Sequence, residues 1–230
     1  MGNGVFIIAE AGVNHNGSLD MALEMVDVAK RAKADAIKFQ TFAADRLATR
    51  TLAKADYQRV GTETSETQYQ MLRKLELSRE FHHKIKARCD EVGIEFMSTA
   101  FDTESLKFLR DLGIKRFKVP SGEITNGPLI WEFGRLKAPL IVSTGMAVLS
   151  DVELALAIIN HGRVNQQPPQ SLKEVWGVWS EVRSGEALDA VTVLHCTTQY
   201  PTLDVDVNLR AMRAIKNAFD IDVGYSDHTE

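Results

Sequence analysis

Seven short β-rich runs alternate with amphipathic helical stretches along nearly the whole chain, and this alternation restricts the fold more than any other feature. The runs are VFIIAEA (5–11), AIKFQTF (36–42), IEFMSTAF (94–101), RFKVPSG (116–122), PLIVSTG (139–145), VTVLHCT (191–197) and DVGYSDH (222–228). Between the first two, SLDMALEMVDVAKRA (18–32) repeats Leu19, Ala22, Leu23, Met25, Val26 and Ala29 near helical spacing, behind Ser18 as a cap. DTESLKFLRDLG (102–113) follows the same plan, with Asp102 as its cap and Gly113 closing the helix. Successive βα units predict a parallel sheet with helix-covered faces, and seven or eight of them predict an α/β fold of the (β/α)8 TIM-type barrel. Seven strands are visible where a closed barrel has eight. Residues 1–230 therefore read as one barrel domain, truncated before strand eight.

Two stretches depart from the tight alternation. Residues 43–78 lie between strand two and its helix, on the face where βα loops of barrels carry substrate contacts, and read either as a lid or as a helical excursion that packs. Residues 162–189 form an insertion between the helix after strand five and strand six. Within it, after the breaker QPPQ, SLKEVWGVWSEVRSG places Leu172, Val175, Trp176, Trp179 and Val182 on one helical side. The amino terminus has no basic region and a short apolar run, which predicts neither a signal peptide nor a membrane span. A net charge of −4 with no run of five like charges argues against nucleic acid and anionic membrane as partners. Cys89 and Cys196 make no metal spacing, and two free thiols in a cytoplasmic protein are expected.

Polar residues gather at the carboxyl ends of the predicted strands, where buried parallel strands ordinarily run apolar. They are Glu10 on strand one, Lys38 and Gln40 on two, Thr99 and Phe101 on three, Lys118, Ser121 and Glu123 on four, Ser143 on five, His195 and Thr198 on six, and Ser226, Asp227 and His228 on seven. In a barrel these ends open on one mouth. Taken singly, each has a structural reading: a lysine snorkels or pairs, a serine or threonine caps a helix, a glutamate joins an ion pair. Two lysines at matching positions, Lys38 and Lys118, favour an anion. The hydroxyls of MSTAF, VPSGE and VSTGM, with Gly122 and Gly145, would offer a phosphate both O–H and backbone N–H donors. His15 belongs to the first βα loop, either in loop packing or in substrate contact. His82 and His83 read as solvated helix residues, and His161 as a helix-end cap. Of the two histidines at strand ends, His228 follows Asp227, an acceptor able to orient a metal-bound imidazole.

In order, IIAEAGVNHNGSLDMALEMVDVAKRAKADAIKFQTF, FMSTAFD, FKVPSGEITNGPLI, IVSTGMA, HCTTQYP and GYSDHT resemble the sialic acid synthase family, the phosphoenolpyruvate-dependent synthases of nine-carbon 2-keto sugar acids. The resemblance covers nearly the whole chain apart from 162–189. It implies condensation of phosphoenolpyruvate with an N-acetylhexosamine such as N-acetylmannosamine, release of phosphate, and a divalent metal, Mn2+ or Mg2+. It further implies that Lys38, Thr99, Lys118, Ser121, Ser143, Thr198 and Ser226 hold phosphoenolpyruvate, and that Glu10, Gln40, Phe101 and Tyr200 meet the sugar. Glu10 and Glu123 become the candidate catalytic carboxylates, with Glu123 in proton transfer, and His228 the metal ligand. Thr198 departs from the asparagine or serine often found there. The resemblance also implies a homodimer for the full-length protein, and a second metal-binding histidine on strand eight followed by a small antifreeze-like domain, both beyond Glu230; His195 is not a substitute for that histidine. Two other readings stand beside it: a synthase of another nonulosonate, such as legionaminate or pseudaminate, or of a spore-coat-type polysaccharide sugar, and a non-catalytic module that binds sugar phosphates.

Overall fold

The computed structural model describes residues 4–51, 67–182 and 188–230. Each of the seven runs contains a strand: β1 (Ile8–Gly12), β2 (Ala36–Thr41), β3 (Glu95–Ala100), β4 (Phe117–Val119), β5 (Leu140–Ser143), β6 (Val191–His195) and β7 (Asp222–Tyr225), in chain order. The chain divides into two compact units, Met1–Ile114 and Lys115–Glu230.

In the first unit β1 pairs with β2 and β2 with β3, all parallel. The helices are α1 (Leu19–Arg31), α2 (Ala44–Leu47), α3 (Gln68–Leu75), α4 (Arg79–Val92) and α5 (Thr103–Asp111). Their starts follow the sequence: Ser18 accepts from the Met21 N–H, Ser78 from Phe81, and Asp102 from both Glu104 and Ser105, each satisfying an otherwise orphaned donor. Ala22, Val26 and Ala29 of α1 and Ile85 and Cys89 of α4 are buried, as are Ile37, Phe39 and Phe96 of the strands. Arg88 clasps both carboxylate oxygens of Asp27 at 2.9 and 3.0 Å, tying α4 to α1. His82 is not solvated. It stands three and seven residues before Ile85 and Cys89, so it shares their inward face and is 1% exposed, whereas His83 one position on is exposed. Around the 43–78 excursion, Phe42, Ala44 and Leu72 form a small core against which Leu47, Tyr69, Met71, Leu75 and Phe101 pack. Residues 52–66 lie outside the described residues, and with them the rest of the lid reading.

In the second unit β4 to β7 pair in parallel succession. Its helices are α6 (Gly127–Arg135), α7 (Leu149–Val164), α8 (Leu172–Val182) and α9 (Arg210–Phe219). α6 and α7 approach at two glycines: a Cβ on Gly162 would lie 2.5 Å from the Trp131 carbonyl oxygen, and one on Gly134 would meet the Ile159 backbone. α8, within the insertion, covers α7 with Val175 and Trp179, and the Trp179 indole N–H donates to Glu153 at 3.3 Å. The buried stripe of α8 is narrower than the sequence suggests, because Leu172 and Trp176 face solvent; the side chain of Val182 and residues 183–187 lie outside the described residues. His161 is not an end cap, since α7 continues to Val164 and buries the imidazole. Cys89 and Cys196 are free and buried, and burial pushes the Cys89 thiol up to about 12, which leaves it unreactive. Among the described residues no helix is long and apolar enough to cross a membrane.

Candidate active site

Strand parity sorts the carboxyl ends of the first unit. Lys38 and Gln40 point to one face of β2 and Phe39 and Thr41 to the other. Glu10 pairs in register with Lys38, just before a register shift that sets Gly12 opposite Phe39, and the Glu10 and Lys38 side chains form an ion pair in which the lysine is buried and the carboxylate partly exposed. Gly12 has φ 52°, a left-handed conformation suited to glycine. A Cβ there would sit 3.3 Å from Glu10 Oε1 and 3.8 Å from Gln40 Nε2, so the bare backbone lets these two polar ends converge. Gln40 is in register with Thr99, whose hydroxyl is buried and has no hydrogen-bond partner among the described residues. Such an orphan costs about 1–3 kcal/mol unless something fills it. Phe101 is half-buried and meets Phe42 edge-on at 6.1 Å, so part of its ring packs in the α2–α3 core.

The second unit assembles its strand ends by close backbone approach. Lys118 is half-buried and in register with Ile141; Ser143, two residues on from Ile141, shares that face and has a second buried hydroxyl without a partner among the described residues. After β4 the 3-10 turn Ser121–Glu123 presents the Ser121 hydroxyl, which accepts from the Gly145 N–H at 3.0 Å. A Cβ on Gly145 would lie 3.0 Å from both Ser121 Oγ and the Thr197 carbonyl oxygen and 3.4 Å from Thr198 Cγ2. The missing side chain therefore draws the ends of β4, β5 and β6 together. Glu123 is half-buried and accepts from the Asn126 amide at 2.7 Å, while Asn126 also caps α6, so the carboxylate is held by the start of a helix. Thr198 is exposed. The partly exposed Tyr200 ring stands edge-on to His228 at 4.3 Å, and His228 Nε2 lies 3.2 Å from Ser226 Oγ.

The histidines divide by direction. His195 falls on the opposite parity from Ser143's neighbour Leu194; its Nε2 donates to the Val207 carbonyl at 2.7 Å and its ring stacks on Tyr225, a structural role. Asp227 accepts from the N–H and hydroxyl of Thr229, which together hold its carboxyl below the usual range. His15 is fully buried, its Nδ1 accepts from the Gly17 N–H at 3.0 Å, burial lowers its pKa, and its Nε2 is buried without a partner among the described residues. Among the described residues no three His, Cys, Asp or Glu side chains converge as a metal would require. One imidazole, His228, does not by itself make a divalent-metal centre. Sequence reasoning missed Thr41, Ser98 and His82, which hydrogen-bond in series behind β2 and β3. The helical spacing of His82, Ile85 and Cys89 was the available signal.

Comparison with known proteins adds relatives to this geometry. The NeuB family matches residues 25–230. The chain is 47% identical over 224 residues to the N,N'-diacetyllegionaminic acid synthase of Legionella pneumophila, covering 97% of this chain and 57% of that protein. The protein of the same name from Campylobacter jejuni is 42% identical, with 97% and 60% covered. The chain thus spans 57–60% of the length of these curated relatives. Among solved structures, the N-acetylneuraminic acid (sialic acid) synthetase of Leptospira borgpetersenii superposes with a TM-score of 0.77 at 29% identity, over 99% of this chain and 66% of that one. That likeness places the seven-stranded α/β succession in the TIM-type barrel class.

Proposed function

The chain belongs to the NeuB family, and from that premise we propose that it carries the barrel part of a synthase that joins phosphoenolpyruvate to an N-acetylated hexosamine. The product is a nine-carbon 2-keto sugar acid of the sialic acid type, and phosphate is released. The observation that carries this reading recurs within each unit: Lys38 with the buried Thr99 hydroxyl in the first, and Lys118 with the buried Ser143 hydroxyl in the second, both hydroxyls without a partner among the described residues. Phosphoenolpyruvate presents a phosphate and a carboxylate, the kinds of anion that such donors hold.

The methylene carbon of phosphoenolpyruvate adds to the acceptor's aldehyde carbon, whose oxygen takes up a proton and becomes a hydroxyl. Water adds to the cationic carbon left behind and gives up a proton. Phosphate then departs with the electrons of its carbon–oxygen bond as the new hydroxyl gives up its proton, leaving the 2-keto group. Lysines and hydroxyl donors lower the energy of the charge that grows on phosphate. Glu123, held by Asn126, is the carboxylate assigned to proton transfer. In this reading Ser121, Thr198 and Ser226 complete the hold on phosphoenolpyruvate, and Glu10, Gln40, Phe101 and Tyr200 meet the sugar.

Two relatives named for N,N'-diacetyllegionaminic acid, at 47% and 42% identity, favour an acceptor with two acetamido groups over N-acetylmannosamine. The resemblance also implies a divalent ion with His228 among its ligands, a homodimer and a cytoplasmic location. The test is phosphate release by the purified native-length protein from phosphoenolpyruvate with each acceptor in turn, before and after EDTA treatment and Mn2+ replacement. Release with a diacetamido hexose supports the reading. Binding of phosphoenolpyruvate without release from any amino sugar would favour the sugar-phosphate binding module instead.

A further inference from the structure

Behind the strand ends of the first unit runs a chain of hydrogen bonds that the proposed chemistry does not touch. Thr41 and Ser98 point away from Lys38, Gln40 and Thr99, toward the helix layer, and both are buried, as is His82 of α4. Thr41 Oγ1 lies 2.7 Å from His82 Nε2 and 2.7 Å from Ser98 Oγ, and His82 Nδ1 lies 2.8 Å from the Ser78 carbonyl oxygen. A carbonyl can only accept, so Nδ1 carries the ring proton. In the neutral ring Nε2 must then accept from Thr41, and the Thr41 oxygen accepts from Ser98. The direction is thereby set from Ser98 through Thr41 and His82 to Ser78. Burial lowers the His82 pKa to about 4, so the ring is neutral and this direction holds near neutral pH.

We propose that Thr41, Ser98 and His82 are positioning residues that set the height of the β2 and β3 ends, so that on the opposite face Lys38 and Thr99 meet phosphoenolpyruvate, and Gln40 the sugar, in one geometry. One peptide bond separates Thr41 from Gln40 and Ser98 from Thr99, so a shift of either anchor is passed directly to a contact residue. Apolar packing is non-directional and tolerates sliding, whereas these hydrogen bonds have fixed lengths and angles. The far end of the chain is Ser78, whose hydroxyl caps the first turn of α4, so both strand ends are referred to the start of one helix. An aromatic contact adds stiffness on the same side: His82 meets Phe108 edge-on at 5.3 Å.

The inference rests on the synthase reading, and its test separates the two. Thr41→Val keeps the shape and removes the hydroxyl; Thr41→Ser keeps the hydroxyl. With both variants shown folded by circular dichroism, Thr41→Val should lose about 10-fold in kcat/KM and in phosphoenolpyruvate affinity, and Thr41→Ser should stay within about 2-fold of wild type. A Thr41→Val protein with a lower melting temperature but wild-type kcat, KM and affinity would reduce the chain to a structural role and overturn the proposal. If Thr41→Val does not fold, Ser98→Ala decides: a loss of about 3-fold that is absent in Ser98→Thr supports positioning, and unchanged kinetics overturns it. A wild-type protein that neither binds phosphoenolpyruvate nor releases phosphate from it refutes the synthase reading, and the positioning proposal falls with it.

Discussion

The strand ends of the first unit are organised around a buried charge, and those of the second around close backbone approach. In the first, the Lys38 ammonium is carried into the interior with the Glu10 carboxylate beside it. In the second, Gly145 lets Ser121, Thr197 and Thr198 close in, and the donors are a backbone N–H and hydroxyls. The difference teaches where each is vulnerable. A buried ion held by one partner is sensitive to loss of charge, because desolvation without compensation costs several kcal/mol. A cradle defined by a missing side chain is sensitive to one added methyl group, whatever its charge.

The largest expected effect tests whether the second unit holds the proton chemistry. Glu123→Gln should lower turnover by roughly 10²–10⁴-fold, the usual worth of a positioned acid–base group, while calorimetry finds phosphoenolpyruvate affinity little changed. Phosphate release near the wild-type rate would remove Glu123 from that role. Next, Lys38→Met and Lys118→Met should each weaken phosphoenolpyruvate binding by about 2–5 kcal/mol, as expected for one member of a desolvated charge pair. Unchanged affinity in Lys118→Met would leave anion binding to the first unit and sharpen the contrast into a division of labour.

A third prediction separates the units by pH. The folded-state pKa of His82 is depressed from 6.5 to about 4. Above 6.5 both folded and unfolded states hold it neutral and its contribution is complete; as pH falls toward 4 the unfolded chain takes up a proton that the folded chain refuses. The loss is about 1.4 kcal/mol per pH unit, roughly 3 kcal/mol across the window. Urea unfolding of wild type and His82→Gln at pH 7 and pH 4.5 should therefore give a steeper loss in wild type, and equal slopes would contradict the burial argument. The smallest effect concerns the cradle: Gly145→Ala should cost about 1–3 kcal/mol of stability or phosphoenolpyruvate affinity as its Cβ pushes on Ser121 Oγ and Thr197 O. A fully wild-type Gly145→Ala protein would mean that the approach at β5 is looser than its contacts imply.

Much of the architecture was legible because it depends on neighbours in sequence. Ser18 and Asp102 cap helices through bonds to residues two or three positions away, and a local rule reads them correctly. The α8 stripe was read too wide for a related reason: periodicity tells which residues share a side, but the width of the buried side is set by the surface of α7 beneath it. His82 shows the same limit from the other direction. Its imidazole looks solvated beside His83 and Lys84, yet it lies on the face of α4 that buries Ile85 and Cys89 and there meets Thr41.

The sequence by itself determined the order of seven strands and their helices, the helix caps, the polar character of the strand ends and the family of the chain, since all of these are carried by residue type and spacing. Tertiary structure alone decided which of those polar groups are already satisfied. Ser98 and Thr99 are adjacent hydroxyls of one strand; the first is taken up by Thr41 while the second is buried without a partner. Serine and threonine have the same donor and acceptor capacity. What separates these two is the face of the sheet on which each lies and what stands there within hydrogen-bond distance, and that is a property of three-dimensional packing that residue type does not encode.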